Sequence, residues 1–278
     1  MCNHLSENKD LVNYSKDKDV LLLIGSTGSG KTSLISYLTG MDLNYESDDS
    51  EHGITLKKNY PGFEICSGDE SVTKLPNFRT LTGSSCLLYD LPGLEDTRGS
   101  SYEILNASFI KNIVENAKTV GFVFVEDKAT LSSKRGKGLK ILIEKANSVF
   151  KVDKTNSILI VTKVKSSWDD KKLRQWIKKE FDSEVDKDSL LMDWLESENI
   201  FCRHKNIDEE DKEVILSALK RIKGRKHDKL DVSTLFSDKS MLLRITKELR
   251  NEIFSTLEFE KSLLDLKTSN EVINFIED

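Results

Sequence analysis

The stretch Gly25 to Thr32, GSTGSGKT, carries the most specific chemical signal in the 278-residue chain. It matches G-x-x-x-x-G-K-[ST], a pattern that gathers backbone amides, one ammonium and one hydroxyl around an anion. Gly25 ends an apolar run and permits a sharp turn. Gly28 and Gly30 let peptide N–H groups approach phosphate oxygens with no side chain in the way. Lys31 brings positive charge to the outer phosphates, and Thr32 offers a hydroxyl to Mg²⁺. Ser26, Thr27, Ser29 and Ser33 complete the expected nucleotide-binding stretch. A helix beginning at Lys31 would aim its positive dipole end at the anion. The plain alternative is a Gly/Ser turn, but the apolar run before it and the helical pattern after it favour the phosphate loop.

A second group follows one apolar run later. In CLLYDLPG, Asp90 and Gly93 form D-x-x-G at the C-terminal end of a strand-like segment. In parallel α/β sheets that edge is where ligands bind. Asp90 would hold Mg²⁺ through water, and the Gly93 N–H would sense a terminal phosphate. An Asp-Pro-Gly turn is the structural alternative. Between the two groups a threonine is expected to close on Mg²⁺. The candidates are Thr55 in HGITLKK and Thr73 in DESVTKLP.

A third group lies in VTKVK. Guanine is read by [NT]-K-x-D, whose lysine stem stacks on the ring and whose aspartate accepts from the N1 and N2 donors. Thr162 and Lys163 fit, but Lys165 occupies the acid position. Lysine has only donors and cannot accept from guanine. Asp169 and Asp170 follow shortly after, although as the start of DDKKLRQW they also read as helix caps. After the next apolar run, His204 in RHKN is a candidate for stacking on the base, with a solvent-facing histidine as the alternative.

These residues need a scaffold that brings strand ends together. DVLLLIG, SCLLYDL, TVGFVFVE, SILIVTKV and NIFCRH are short apolar runs that read as strands. Between them KTSLISYLTG, YEILNASFIKNIVENA, KGLKILIEKANSVF and KKLRQWIKKEF carry helical spacing. DEEDKEVILSALKRIKG adds acid at its start, base at its end and a following glycine. Alternating strands and helices predict a mostly parallel sheet covered on both faces. Past Asp231, Leu242, Ile245, Leu249, Ile253 and Leu257 repeat at helical spacing with no strand between, which predicts a C-terminal helical extension. The expected divisions are a flexible tail at 1–17, an α/β domain at 18–230 and the extension at 231–278.

Composition narrows the function classes. Hydrophobic residues make up 37% and charged residues 32%, the net charge is −5, and proline occurs only 3 times. The acidic balance, with a pI near 5.6, argues against broad electrostatic capture of nucleic acid. Cys2, Cys66, Cys86 and Cys202 show no CxxC spacing and read as reduced thiols. No apolar run is long enough to span a bilayer, and the polar first twenty residues do not read as a signal peptide. A cytoplasmic location is expected.

With Lys31, Asp90 and Lys163 in this order, the chain resembles the translation-factor-related P-loop GTPases. Within them it looks most like the septin-related immunity-associated GTPases (GIMAPs) and the chloroplast import receptors (Toc). GSTGSGKTSLISYLTG, SVTK at 71–74 and LLYDLPGLED at 87–96 carry the likeness, which covers residues 19 to about 206. The VT pair ahead of the acidic box selects Thr73 over Thr55. The resemblance implies a three-layer P-loop GTPase fold, GTP or GDP with Mg²⁺ as ligands, and Lys31 and Thr73 as catalytic groups. Thr32, Thr73 and Asp90 would be the metal-side residues. It further implies dimerisation across the nucleotide face and peripheral membrane association. Apart from the resemblance, the C-terminal helix is a candidate surface for a protein partner, with packing of its apolar face back on the core as the alternative. Two residues depart from the pattern: Leu91 replaces a threonine, and Lys165 replaces the base-reading acid. Leu94, not glutamine, follows Gly93, so hydrolysis should be slow unless a group such as Arg98 or Arg135 is supplied. The alternatives are a nucleotide-dependent scaffold with negligible hydrolysis and an ATP-using P-loop enzyme.

Overall fold

The computed structural model describes residues 14–45, 54–60, 63, 65, 76–92, 100–133, 136–181, 189–204, 209–227 and 230. All of them belong to one of the two units into which the chain divides, Met1–Leu235. The C-terminal extension past 230 lies outside the described residues. So do Cys2, Cys66, Thr73, Gly93, Leu94, Arg98 and Arg135.

Strand β1 (Asp19–Ile24) explains the architecture. Five of its six residues are buried, and successive side chains must point to opposite faces. Val20, Leu22 and Ile24 join one apolar cluster, and Leu21 and Leu23 join another. A strand buried on both faces needs a helical layer on each side. Helix α1 (Lys31–Leu38) follows β1. Next come a two-stranded antiparallel ribbon, β2 (Leu43–Tyr45) with β3 (Ile54–Leu56), then β4 (Asn77–Thr80) and β5 (Leu87–Asp90). Beyond these lie α2 (Ser100–Asn116), β6 (Thr119–Asp127), α3 (Lys128–Ser133), α4 (Lys137–Phe150) and β7 (Ser157–Val164). The described elements close with α5 (Asp170–Phe181), α6 (Leu190–Glu196), β8 (Ile200–His204) and α7 (Glu209–Arg221).

The main sheet has six strands in the order β4-β5-β1-β6-β7-β8. Within it, only the pairing of β4 with β5 is antiparallel. Helices α2, α4, α5 and α6 pack on one face through residues such as Ile113, Leu142, Ile177 and Trp194. Helices α1 and α7 pack on the other through Leu34, Ile35, Leu216 and Leu219. This is the three-layer, mostly parallel α/β fold expected from the alternating pattern.

The ribbon, β4, α3 and α6 were not legible as elements. β4 is four residues of half-exposed edge strand, and the ribbon strands have three residues each. Such pieces carry almost no periodicity. Helix α6 has seven residues and is capped by Ser189, whose hydroxyl accepts from the Met192 N–H at 3.4 Å. Residues 14–17 of the expected tail are docked: Ser15 is fully buried, Lys16 bridges to Ala117, and Tyr14 stacks 5.1 Å from Phe78. At the other end of the domain, Arg225 pairs with Val120 at the start of β6.

Candidate nucleotide site

The ends of β1, β5, β6 and β7 converge on the loop between β1 and α1. Close approach explains Gly25: a Cβ there would lie 2.0 Å from the Val125 carbonyl oxygen of β6 and 2.8 Å from Ser29 Oγ. Gly28 and Gly30 have φ of 77° and 90°, in the left-handed region that favours glycine. Gly30 begins α1 without a side-chain cap, so the first N–H groups of the helix are left for another acceptor. Lys31 is 7% exposed, and its ammonium donates to the carbonyls of Gly25 at 2.9 Å and Ser26 at 2.8 Å. Ser29 is fully buried, and its Oγ has no hydrogen-bond partner within the protein. A buried hydroxyl beside a ring of glycines is what a loop curled for an anion would hold. Thr27 and Ser33 are half-buried on the loop and the first helical turn.

Thr32 meets Asp90 directly. Its hydroxyl donates to Asp90 Oδ2 at 2.7 Å, and Asp90 is fully buried. Asp90 ends β5, in register with Leu23 of β1, which brings the carboxylate to the start of α1. One hydroxyl and one carboxylate suit a hard cation that keeps most of its waters, as Mg²⁺ does. Among the described residues no cluster of three or more His, Cys, Asp or Glu could hold a metal by itself. The donors therefore fit an ion shared with phosphate oxygens. Thr55, the other switch candidate, lies on β3 opposite Asn44 in the ribbon.

On the base side, Thr162 and Lys163 reach the same loop. Thr162 Oγ1 donates to the Ser29 carbonyl at 2.6 Å, and Lys163 Nζ donates to the Gly28 carbonyl at 2.9 Å. Lys163 has φ of 56°, and the register of β7 against β8 shifts between Val161 and Val164. A non-glycine residue in this region is uncommon, and here it accompanies a side chain turned onto the loop.

The remaining base-side candidates are committed to the scaffold. Asp169 Oδ1 accepts from the Lys172 N–H at 2.6 Å, and Asp170 Oδ1 accepts from the Cys202 N–H at 2.6 Å. Burial raises the Asp170 carboxyl above its ordinary range, against the pull of the Cys202 N–H and Arg174. Lys165 is exposed. His204 does not face solvent: Nε2 donates to the Trp168 carbonyl at 2.6 Å, and Nδ1 lies against the Asp211 carboxylate. Only its ring faces are left for stacking. Nearby, the Lys128 ammonium sits 4.6 Å and 4.5 Å from the ring centres of Trp168 and Trp176.

Glu126 was missed by sequence reasoning. It is 1% exposed near the end of β6, and its Oε2 accepts from Ser26 Oγ at 2.8 Å. The available signal was an acid closing an otherwise apolar strand next to a phosphate loop. Cys86 and Cys202 are free thiols, and burial pushes the Cys86 thiol up to about 12.

Among the described residues no helix is long and apolar enough to cross a membrane. No curated protein matches the chain significantly. Solved structures similar to it include a point variant of Era of Aquifex aeolicus bound to GDP and AlF4⁻. That match has 13% identity and a TM-score of 0.43, covering 76% of this chain and 58% of Era. A point variant of SsGBP has 12% identity and a TM-score of 0.43, covering 84% of this chain and 61% of that one. Toc33 of Arabidopsis thaliana with GDP and Mg²⁺ has 14% identity and a TM-score of 0.39, covering 80% and 95%. The chain thus spans about three fifths of the length of the first two. The model of the 50S ribosome-binding GTPase family matches residues 20–192, well over half of the chain and all of the site just described except His204. The chain belongs to the 50S ribosome-binding GTPase family of P-loop proteins.

Proposed function

We propose that this chain is a guanine-nucleotide switch protein with slow, Mg²⁺-dependent GTP hydrolysis. One observation carries the reading. The loop is bracketed by Asp90 on the Thr32 hydroxyl and by Lys163 on the Gly28 carbonyl, so one nucleotide could touch both flanks. Family membership supports GTP as the ligand.

In this reading the amides of residues 25–33 cradle the phosphates, and Lys31 leaves its loop carbonyls to meet the outer phosphate oxygens. Thr32, Thr73 and Asp90 hold the metal side. Mg²⁺, when bound, would neutralise charge developing on the transferred phosphoryl group. Lys31 stabilises the same charge, and the Gly93 N–H reports the third phosphate. Thr162 and Lys163 fix the base-side wall, and a face of His204 stacks on the base. Leu94 supplies no group to orient the attacking water, which makes the rate slow without a partner or second copy. The subgroup likeness to GIMAP and Toc proteins, a homodimer across the nucleotide face, a protein partner on the C-terminal helix and peripheral membrane association belong to the same proposal.

A second reading, an ATP-using P-loop enzyme, is favoured by one observation: Lys165 stands at the base-reading position while Asp169 and Asp170 are both engaged elsewhere. Calorimetric titration of nucleotide-free protein with GTP, GDP and ATP in Mg²⁺ separates the two, with Lys31→Ala as control. Binding of GTP and GDP that is lost in Lys31→Ala and absent for ATP is the expected result. Equal or tighter ATP binding would replace the first reading by the second. Single-turnover hydrolysis of GTP, much slower than a stimulated GTPase, tests the rate.

A further inference from the structure

Glu126 is the buried charged group at the loop that the proposed hydrolysis does not use. In the pairing of β6 with β1, Phe124 lies beside Ile24, so Glu126 extends two residues past the end of β1, level with the loop. Its Oε2 accepts from Ser26 Oγ at 2.8 Å and its Oε1 from the Asp127 N–H at 3.1 Å. The Ser26 carbonyl meanwhile accepts from the Lys31 ammonium at 2.8 Å. One loop residue is therefore held from two sides, by a carboxylate through its hydroxyl and by an ammonium through its carbonyl.

We propose that Glu126 is a positioning residue of the phosphate loop, acting through Ser26, and that it takes up a proton when nucleotide phosphates bind. The proposal rests on reading the loop as a nucleotide site. Phosphates bring several negative charges beside a buried carboxylate, where little water screens them. They also draw Lys31, the cation that favours the charged form of Glu126, toward themselves. Both effects favour the neutral acid. Burial already lifts the carboxyl above its ordinary range before any ligand arrives. The Ser26 hydroxyl, the Asp127 N–H and Lys31 act against that lift, and the Asp127 charge adds to it. On the neighbouring strands, Lys163 is engaged at the Gly28 carbonyl and Asp90 at the Thr32 hydroxyl.

Affinity then depends on pH in one direction. Below its pKa in the empty protein Glu126 is neutral in both states, and affinity is highest and flat. As pH rises from that value toward the still higher pKa of the bound state, affinity falls, by at most about tenfold per pH unit for one proton. Within that window each binding event takes up a proton.

The test is titration of the full chain with GDP and Mg²⁺ between about pH 5 and 9, spanning the carboxylate-to-thiol range. Buffers of different ionisation heat then report protons taken up. Glu126→Gln keeps an acceptor for Ser26, so it should bind GDP while taking up fewer protons than the wild type and losing that part of the pH dependence. Ser26→Ala keeps the carboxylate but removes a donor that favours its charge, so its uptake window should move to higher pH. It also serves should Glu126→Gln fail to fold. Equal proton uptake in wild type and Glu126→Gln would overturn the proposal, as would an unmoved window in Ser26→Ala. Absence of GDP binding by the wild type would instead overturn the nucleotide reading, and this proposal with it.

Discussion

The two flanks of the phosphate loop are built on different principles. On the β5 side, a fully buried carboxylate and a hydroxyl meet at 2.7 Å, and both are groups that a hydrated cation can use. On the β7–β8 side, the acids and the histidine have already been recruited as ties: Asp169 to α5, Asp170 to β8, His204 to Trp168 and α7. In the proposed nucleotide reading, the contrast teaches that specificity would rest on phosphate and metal. The β7–β8 side, by comparison, is a structural seam with the exposed Lys165 just past β7.

The sharpest way to break this comparison is at Gly25. An added methyl would meet the Val125 carbonyl at 2.0 Å, against backbone that cannot swing away. Gly25→Ala should cost on the order of 3 kcal/mol in urea unfolding and abolish nucleotide binding. Retention of both would show that the loop is far more pliant than its packing implies. Next comes Lys163→Ala, which removes the ammonium from the Gly28 carbonyl. It should weaken GTP, GDP and inorganic pyrophosphate alike, by roughly thirtyfold in calorimetry, because it unmoors the loop rather than the base. A loss confined to guanine nucleotides would assign Lys163 to base reading alone.

A smaller effect sharpens the base side. Lys165→Asp supplies the acceptor that guanine needs and should raise preference for GDP over IDP by roughly tenfold, measured in competition. No change would mean that the base does not approach residue 165. The least effect is expected at Asp170. Its raised carboxyl favours the fold most below the ordinary aspartate range, and this contribution is lost as pH rises through its elevated folded value. Asp170→Asn keeps the acceptor for Cys202 and should flatten the thermal midpoint against pH without touching nucleotide preference.

The phosphate flank was legible in sequence because its parts are contiguous: a loop of small residues, a strand before and a helix after. Asp90 was legible because it ends an apolar run. The long strands β1, β6 and β7 were legible because each is buried almost end to end. Glu126 was not, because a single acid after FVFV gains meaning only once β6 lies beside β1. The roles of Asp169, Asp170 and His204 were ambiguous for the same reason. Whether a carboxylate caps a helix or reads a base depends on where the Cys202 amide stands, and Cys202 is 32 residues downstream of Asp170. The edge strand β4 and the ribbon escaped because three or four residues cannot express a period.

The hydrogen bonds of Thr162 and Lys163 to the loop span 133 and 135 residues of chain. A motif written in consecutive residues is therefore finished late. During synthesis the loop would emerge early but lack its β7 braces until the 133 residues that separate Ser29 from Thr162 had followed. A nascent chain halted before Lys163 would carry an intact phosphate-loop sequence without the walls that shape it. Nucleotide, binding only the completed arrangement, would then act as a clasp on the last strands to arrive.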